Sequence, residues 1–272
     1  MYRPGCGPAR DRPCPGGAGQ SGNGGSRSRK GTLVGYEEVF AGHVLPVVRF
    51  RRRAPGEYEP VRAVGSGFTF GEGTFITCWH CVSEPLGDGE VYGAAMRSGG
   101  ITSQSYDQVF ELADLEQDAS GRDLALARVG YTADPVLVLA SDPAAWGEDV
   151  VACGYPLPVN TRDPDSREPK IDMNACLLRG YVTRLKADDR PGQEPVRAYE
   201  LDMPAPGGIS GSPLFRQAPF EVVGVVYGEQ DQHVPGRGTP VIFSYAHHLS
   251  ALRAARAAAT GNLPLSEHLN RG

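Results

Sequence analysis

The chain has 272 residues with a formal net charge of −5, and 40% of its side chains are apolar and 22% charged. That balance is ordinary for a globular protein with ample core, and no stretch approaches the roughly 18 consecutive apolar residues of a membrane-spanning helix. With 36 glycines and 23 prolines, the composition favours a turn-rich, all-β chain over a helical one.

In chain order, residues 1–31 come first, with nine Gly, four Pro and six basic residues against one acid. Such a segment cannot bury enough surface to offset its ordering entropy, so a disordered tail is expected. No apolar run of 7–15 residues follows the basic ones, so the segment does not read as a secretory leader. Six cysteines in a chain without such a leader are expected to be reduced thiols in a cytoplasm. The tail carries +5 and the remainder therefore −10, which argues against nucleic acid as the main partner.

Strands are expected over 44–52, 65–70, 74–78, 109–112, 124–129 and 136–139, and then over 150–153, 175–185, 197–202, 212–215, 222–227 and 241–244. Gly71-Glu72-Gly73 turns 65–70 back onto 74–78 as a hairpin, and His80 follows almost directly. The near-even division around 130–135 predicts two small barrels, over 32–132 and 133–260, with a seam between them. Residues 156–170, polar and Pro-rich, read as a surface loop. A closing helix is expected over 245–259 with Gly261 as its stop, and 261–272 reads as a tail.

The chemistry sits in three fragments. Ser210 lies in Pro206-Gly207-Gly208-Ile209-Ser210-Gly211-Ser212-Pro213. A Ser hydroxyl needs a neighbouring base to become a nucleophile, and its tetrahedral oxyanion needs aimed donors, most economically backbone N–H groups. Glycine permits the backbone turn that aims two of them, so Gly208 and Ser210 are the candidate donors. His80, in Thr77-Cys78-Trp79-His80-Cys81, is the candidate base, and Asp123, opening Leu124-Ala125-Leu126-Ala127, the candidate carboxylate that holds its imidazole. Each fragment alone has a bland reading: a Gly/Ser/Pro turn, a structural His, a solvated Asp. Together they describe one machinery.

The three fragments resemble the trypsin/chymotrypsin-like superfamily of serine proteases, and within it bacterial members such as the glutamyl endopeptidases and the Deg/Htr proteases. Ala152-Cys153-Gly154-Tyr155-Pro156 and Val222-Val223-Gly224-Val225-Val226-Tyr227-Gly228 extend the likeness, which covers about 32–258. The resemblance implies two six-stranded antiparallel β-barrels (chymotrypsin-like) with a C-terminal helix. It implies His80 as general base, Asp123 as its orienting carboxylate, Ser210 as nucleophile, and Gly208 and Ser210 as the oxyanion hole. It also implies a substrate pocket with Pro204 at its floor, lined by Tyr227, Gly228 and Glu229. The implied function is a serine endopeptidase acting on proteins or peptides through an acyl-enzyme. A catalytically silent, protease-like binding module is the alternative. An activating partner protein stays open; neither nucleic acid nor membrane is expected.

Four departures from the family pattern bear on mechanism. Ile209 stands where secreted relatives carry an Asp that pairs with a newly cut N-terminus, so activation by such a cut is not expected. Val226 stands where a Ser usually bonds the catalytic Asp, which leaves open how Asp123 is held. No Cys lies between Cys14 and Cys78, so Cys81 is expected as a free thiol. Pro204 carries no charge and Val225 replaces the His of glutamyl-specific relatives, so a small-to-medium apolar side chain is expected in the pocket. Cys78 and Cys81 have a zinc-like spacing, but Cys6, Cys14, Cys153 and Cys176 supply no second close pair. No metal and no cofactor are expected, and the thiols read as small buried hydrophobes.

Overall fold

In the computed structural model, residues 42–271 are described apart from 72, 97–105, 107, 134–136, 163–168, 189–195, 218–219 and 233–240; the expected tail over 1–31 lies outside them. Seven strands form the first sheet: β1 (Val44–Ala54), β2 (Glu57–Phe70), β3 (Thr74–Thr77), β4 (Glu90–Met96), β5 (Gln108–Glu111), β6 (Ala113–Gln117) and β7 (Ala125–Arg128). All pairings are antiparallel, in the order β5-β4-β1-β2-β3-β7-β6. The two edge strands are consecutive in the chain. Glu111 pairs with Gly93 of β4 and Ala113 with Arg128 of β7, with only Leu112 between. One strand path, bent at Leu112 beside Asp114 with its φ of 49°, thus borders both edges and curls the sheet on itself. With β5 and β6 counted as one bent path the sheet has the expected six strand paths, but β4 forms where no strand was expected and 136–139 supplies none among the described residues.

The second half runs through β8 (Asp149–Gly154), β9 (Val159–Arg162), β10 (Pro169–Asp172), β11 (Cys176–Asp188), β12 (Val196–Leu201), β13 (Pro213–Gln217), β14 (Phe220–Gln232) and β15 (Val241–His248). Six of these close a barrel in the order β11-β12-β15-β14-β13-β8, while β9 and β10 pair as a separate hairpin. That hairpin occupies the stretch expected to be a plain loop. Of 136–139, only Leu139 bridges, to Val222; no strand forms among the described residues there.

The helical elements among the described residues include α1 (Trp79–Val82), α2 (Leu249–Ala254), a 3-10 turn (Ala258–Thr260) and α3 (Leu265–Leu269). His80 therefore sits on a one-turn helix instead of at a strand end. The helix expected over 245–259 starts only at Leu249, because Ala246 pairs with Tyr199 and Val226 and His247 with Ala198 and Val225, which keeps the chain extended. The His248 ring accepts the Ser250 N–H at 3.1 Å to begin α2, and extended backbone at Ala255 (ψ 138°) ends it. The expected tail after 261 is instead packed, with Leu265 fully buried and His268 Nε2 3.0 Å from Thr74 Oγ1. No helix among the described residues is long and apolar enough to cross a membrane.

Each half is built around buried apolar side chains. Phe50, Phe68, Phe70 and Phe75 fill the first, with Phe68 and Phe70 edge to face at 5.3 Å. Val150, Ala152, Tyr199, Leu214, Val223 and Val226 fill the second. At about 1.5–3 kcal/mol for each fully buried large side chain, these clusters supply the rigidity on which the site between the halves is mounted.

Candidate active site

The Ser210 loop is held by a second serine. Ser66 N–H donates to the Ser210 carbonyl at 2.8 Å, and Ser66 Oγ donates to the Gly208 carbonyl at 2.7 Å. Ser66 Oγ also accepts the Tyr155 N–H at 2.9 Å, while the Tyr155 hydroxyl donates to the Val44 carbonyl at 3.2 Å. The β2 strand, the segment after β8 and the Ser210 loop are thereby fixed together.

Glycine is required at two positions of the loop. Gly208 has φ +96° and Gly211 φ +88°, both in the left-handed region. A Cβ at Gly208 would stand 2.6 Å from the Tyr155 carbonyl oxygen, and one at Gly211 2.0 Å from that of Ser66. Among the described residues, neither the Gly208 N–H nor the Ser210 N–H meets an acceptor, so both donors are available to a ligand. Ile209 is fully buried in the second core, where no ion pair could form.

Across the seam, His80 and Asp123 are paired twice. His80 Nδ1 lies 2.7 Å from Asp123 Oδ2, and the His80 N–H donates to Oδ1 at 2.8 Å. The Asp123 carboxylate and, after it, the Cys81 sulfur push the His80 imidazole up to about 10, since both favour the cation. The other ring nitrogen, Nε2, lies 3.5 Å from Cys81 Sγ. Ser210 Oγ donates to the Tyr227 carbonyl at 3.3 Å. The described geometry thus forms the His–Asp pair, with Ser210 turned toward β14.

Cys81 is a free thiol: the strand position beside its sulfur is Gly65, where a Cβ would lie 2.6 Å from Sγ and no cysteine is present to pair. Cys78, Cys153 and Cys176 are also free. Cys78, fully buried, is pushed up by desolvation and donates to the Val226 carbonyl at 3.3 Å. Ligand atoms of Cys78, Asp123 and His247 lie within 4.8 Å of one another; hydrogen bonds engage all three residues.

The expected pocket residues adjoin one another. Pro204 is exposed between buried Met203 and Ala205, and the Ala205 N–H donates to Glu229 Oε2 at 3.3 Å. A Cβ at Gly228 would meet nothing within 4 Å, so open space lies beside this strand. The Tyr227 ring packs on His247 with centroids 4.5 Å apart.

Sequence reasoning missed Ser66 and His247. Ser66 lies inside the Gly65-Ser66-Gly67 frame, where a small polar residue between glycines carries no signal of its own. His247 ends a strand beside a second histidine, and nothing in its flanks separates the two.

A trypsin-like peptidase domain matches residues 65–225. Serine protease Rv3671c of Mycobacterium tuberculosis H37Rv is 30% identical over 191 residues, and serine protease MT3772 of strain CDC 1551 matches to the same extent. The match covers 70% of this chain and 42% of those relatives, so the chain spans less than half of their length. The crystal structure of the Rv3671c protease in its inactive form superposes with a TM-score of 0.50 at 16% identity, over 86% of this chain and 91% of that one, a likeness of fold. Strand order, glycine-framed serine and paired histidine and aspartate agree with the domain match, and the chain belongs to the trypsin-like peptidase family.

Proposed function

We propose that the chain is a serine endopeptidase in which His80, Asp123 and Ser210 form the catalytic triad. The observation that carries this reading is the double hydrogen bond from His80 to Asp123. It fixes the imidazole ring through Nδ1 and leaves Nε2 as the basic atom, beside Cys81 Sγ, whose thiol also meets the Ser210 carbonyl.

Catalysis on this reading begins when Ser210 turns about its Cα–Cβ bond, leaving the Tyr227 carbonyl for His80 Nε2. Oγ attacks the scissile carbonyl carbon and its proton passes to Nε2. Asp123 stabilises the resulting imidazolium through Nδ1–H. The oxyanion is received by the N–H groups of Gly208 and Ser210. Collapse expels the amine, which takes the proton from Nε2, and leaves the acyl group on Ser210. Water then repeats the sequence, with His80 again as base, and releases the acid. The uncharged Pro204 and the open space at Gly228 favour a small-to-medium apolar side chain before the scissile bond.

The test is cleavage of an unbiased peptide library by the wild-type chain and by Ser210→Ala. Cleavage by the first and none by the second is expected. A folded wild-type chain that cuts nothing overturns the reading and favours the binding module, and a variant that cuts equally well overturns Ser210 as the nucleophile.

A further inference from the structure

The family's usual serine support for the catalytic aspartate is absent here, since Val226 has no side-chain donor. A different group reaches Asp123 from the second barrel. His247, on β15, is buried, and its Nε2 lies 3.0 Å from the Asp123 backbone carbonyl oxygen. A carbonyl can only accept, so Nε2 carries the proton. Nδ1 is then an acceptor, and it has no partner among the described residues. One face of the ring is covered by the Tyr227 ring, and the Tyr227 carbonyl holds Ser210 Oγ. One side chain therefore links the segment carrying Asp123, contributed by the first half, to the strand against which the nucleophile rests, contributed by the second.

We propose that His247 is a positioning residue: as a neutral Nε2–H donor it anchors the main chain at Asp123 across the seam and so sets the His80–Asp123 pair against Ser210. The inference rests on the triad reading above. Burial holds the His247 ring in its neutral form, depressed to about 4, with Arg122 and His80 disfavouring a second cation and Asp123 opposing them. Cys78 and the Tyr227 phenol are further titratable neighbours, and the Cys78 thiol too is kept neutral by burial. The tautomer that the anchor needs is thus retained throughout the neutral range.

The alternative is that His247 only fills space, and the two roles separate experimentally. His247→Gln and His247→Met have similar size and both lose the ring, but only the first keeps an N–H donor; His247→Phe keeps a ring without a donor. The readout is the second-order rate of labelling by a fluorophosphonate probe from pH 5 to 10, with the unfolding midpoint measured for each variant. In that reaction Ser210 Oγ bonds to phosphorus, fluoride leaves, and the hydroxyl proton passes to His80.

Displacing a reacting group by about 1 Å costs on the order of 100-fold. Folded His247→Met and His247→Phe should label about 10- to 100-fold more slowly, with the pH midpoint moved down toward that of an unpaired histidine. His247→Gln should recover most of the rate and the wild-type midpoint. Against an Asp123→Ala background the Met variant should lose less than about twofold more, because the carboxylate it positions is gone. Equal rates for Gln and Met, or the same loss with and without Asp123, overturn the positioning role while leaving the triad intact. Should only His247→Gln fold, wild-type labelling with an unmoved midpoint supports the role and a loss like that of Asp123→Ala overturns it. If Asp123→Ala itself labels at the wild-type rate, or the wild-type chain does not label, the triad reading has failed and the inference falls with it.

Discussion

Replacing Ser66 by alanine tests how the Ser210 loop is held. Ser66 is fully buried, and its hydroxyl serves two partners, donating to the Gly208 carbonyl at 2.7 Å and accepting the Tyr155 N–H at 2.9 Å. The substitution leaves a buried N–H with no acceptor, at about 1–3 kcal/mol, and removes one ordinary hydrogen bond, at about 0.5–1.5 kcal/mol. The sum, about 1.5–4.5 kcal/mol, is a large share of the 5–15 kcal/mol that holds a typical domain. Ser212 supplies the control. It is equally buried, but its Oγ has no partner among the described residues, so Ser212→Ala should stay within about 0.5 kcal/mol of wild type. Urea unfolding followed by fluorescence measures both. Ser66→Ala should also slow fluorophosphonate labelling by about 100-fold or more, the usual effect of losing one oxyanion donor, because Gly208 is no longer tied down. Equal unfolding free energies for the two variants would refute this account of the loop.

Three further outcomes are expected. The labelling rate of the wild-type chain should rise with pH to a midpoint above 6.5, because the base must be neutral and His80 is pushed up; Cys81→Ala should lower that midpoint, and an unmoved pH–rate profile would count against the sulfur contact. Asp118 is buried and accepts from Arg122 Nη1 at 3.2 Å and from the Arg256 N–H at 2.9 Å, so Asp118→Ala should cost about 1–3 kcal/mol in urea unfolding by removing the acceptor of the buried Arg256 N–H and loosening the C-terminal segment. With His247 depressed to about 4, the unfolded chain binds one proton more between pH 4 and 6.5. Stability should therefore fall as the pH drops through 6.5 and level off near 4, by about 3 kcal/mol in all, and His247→Gln should lack that loss in acid unfolding curves.

The reach of the sequence was set by where the physics is local. Strands such as β3 and β8 were legible because their apolar runs are bounded by turn residues. β4 was not, since Glu90-Val91-Tyr92-Gly93 shows neither clean alternation nor a closing turn signal. The β9–β10 hairpin was hidden by the prolines and charges around it, and the start of α2 by β15, whose pairing with two strands overrode the helix-forming alanines. Of the site, Gly208 and Gly211 were readable because positive φ and close backbone approach demand glycine. His80 and Asp123 were readable from their frames, but the bond between them spans 43 residues and needed the fold. Ser66 and His247 act only through tertiary contacts, across 142 residues to Gly208 and 124 to Asp123, so no local pattern marks either one.

The central claim is that Ser210 is a nucleophile activated by His80 and Asp123, and mapping the fluorophosphonate adduct by mass spectrometry tests it most directly. The account predicts one adduct per folded chain, on the peptide that contains Ser210, absent in Ser210→Ala and formed orders of magnitude more slowly in His80→Ala and Asp123→Ala. A folded wild-type chain without an adduct, or an adduct that persists in Ser210→Ala, would contradict it.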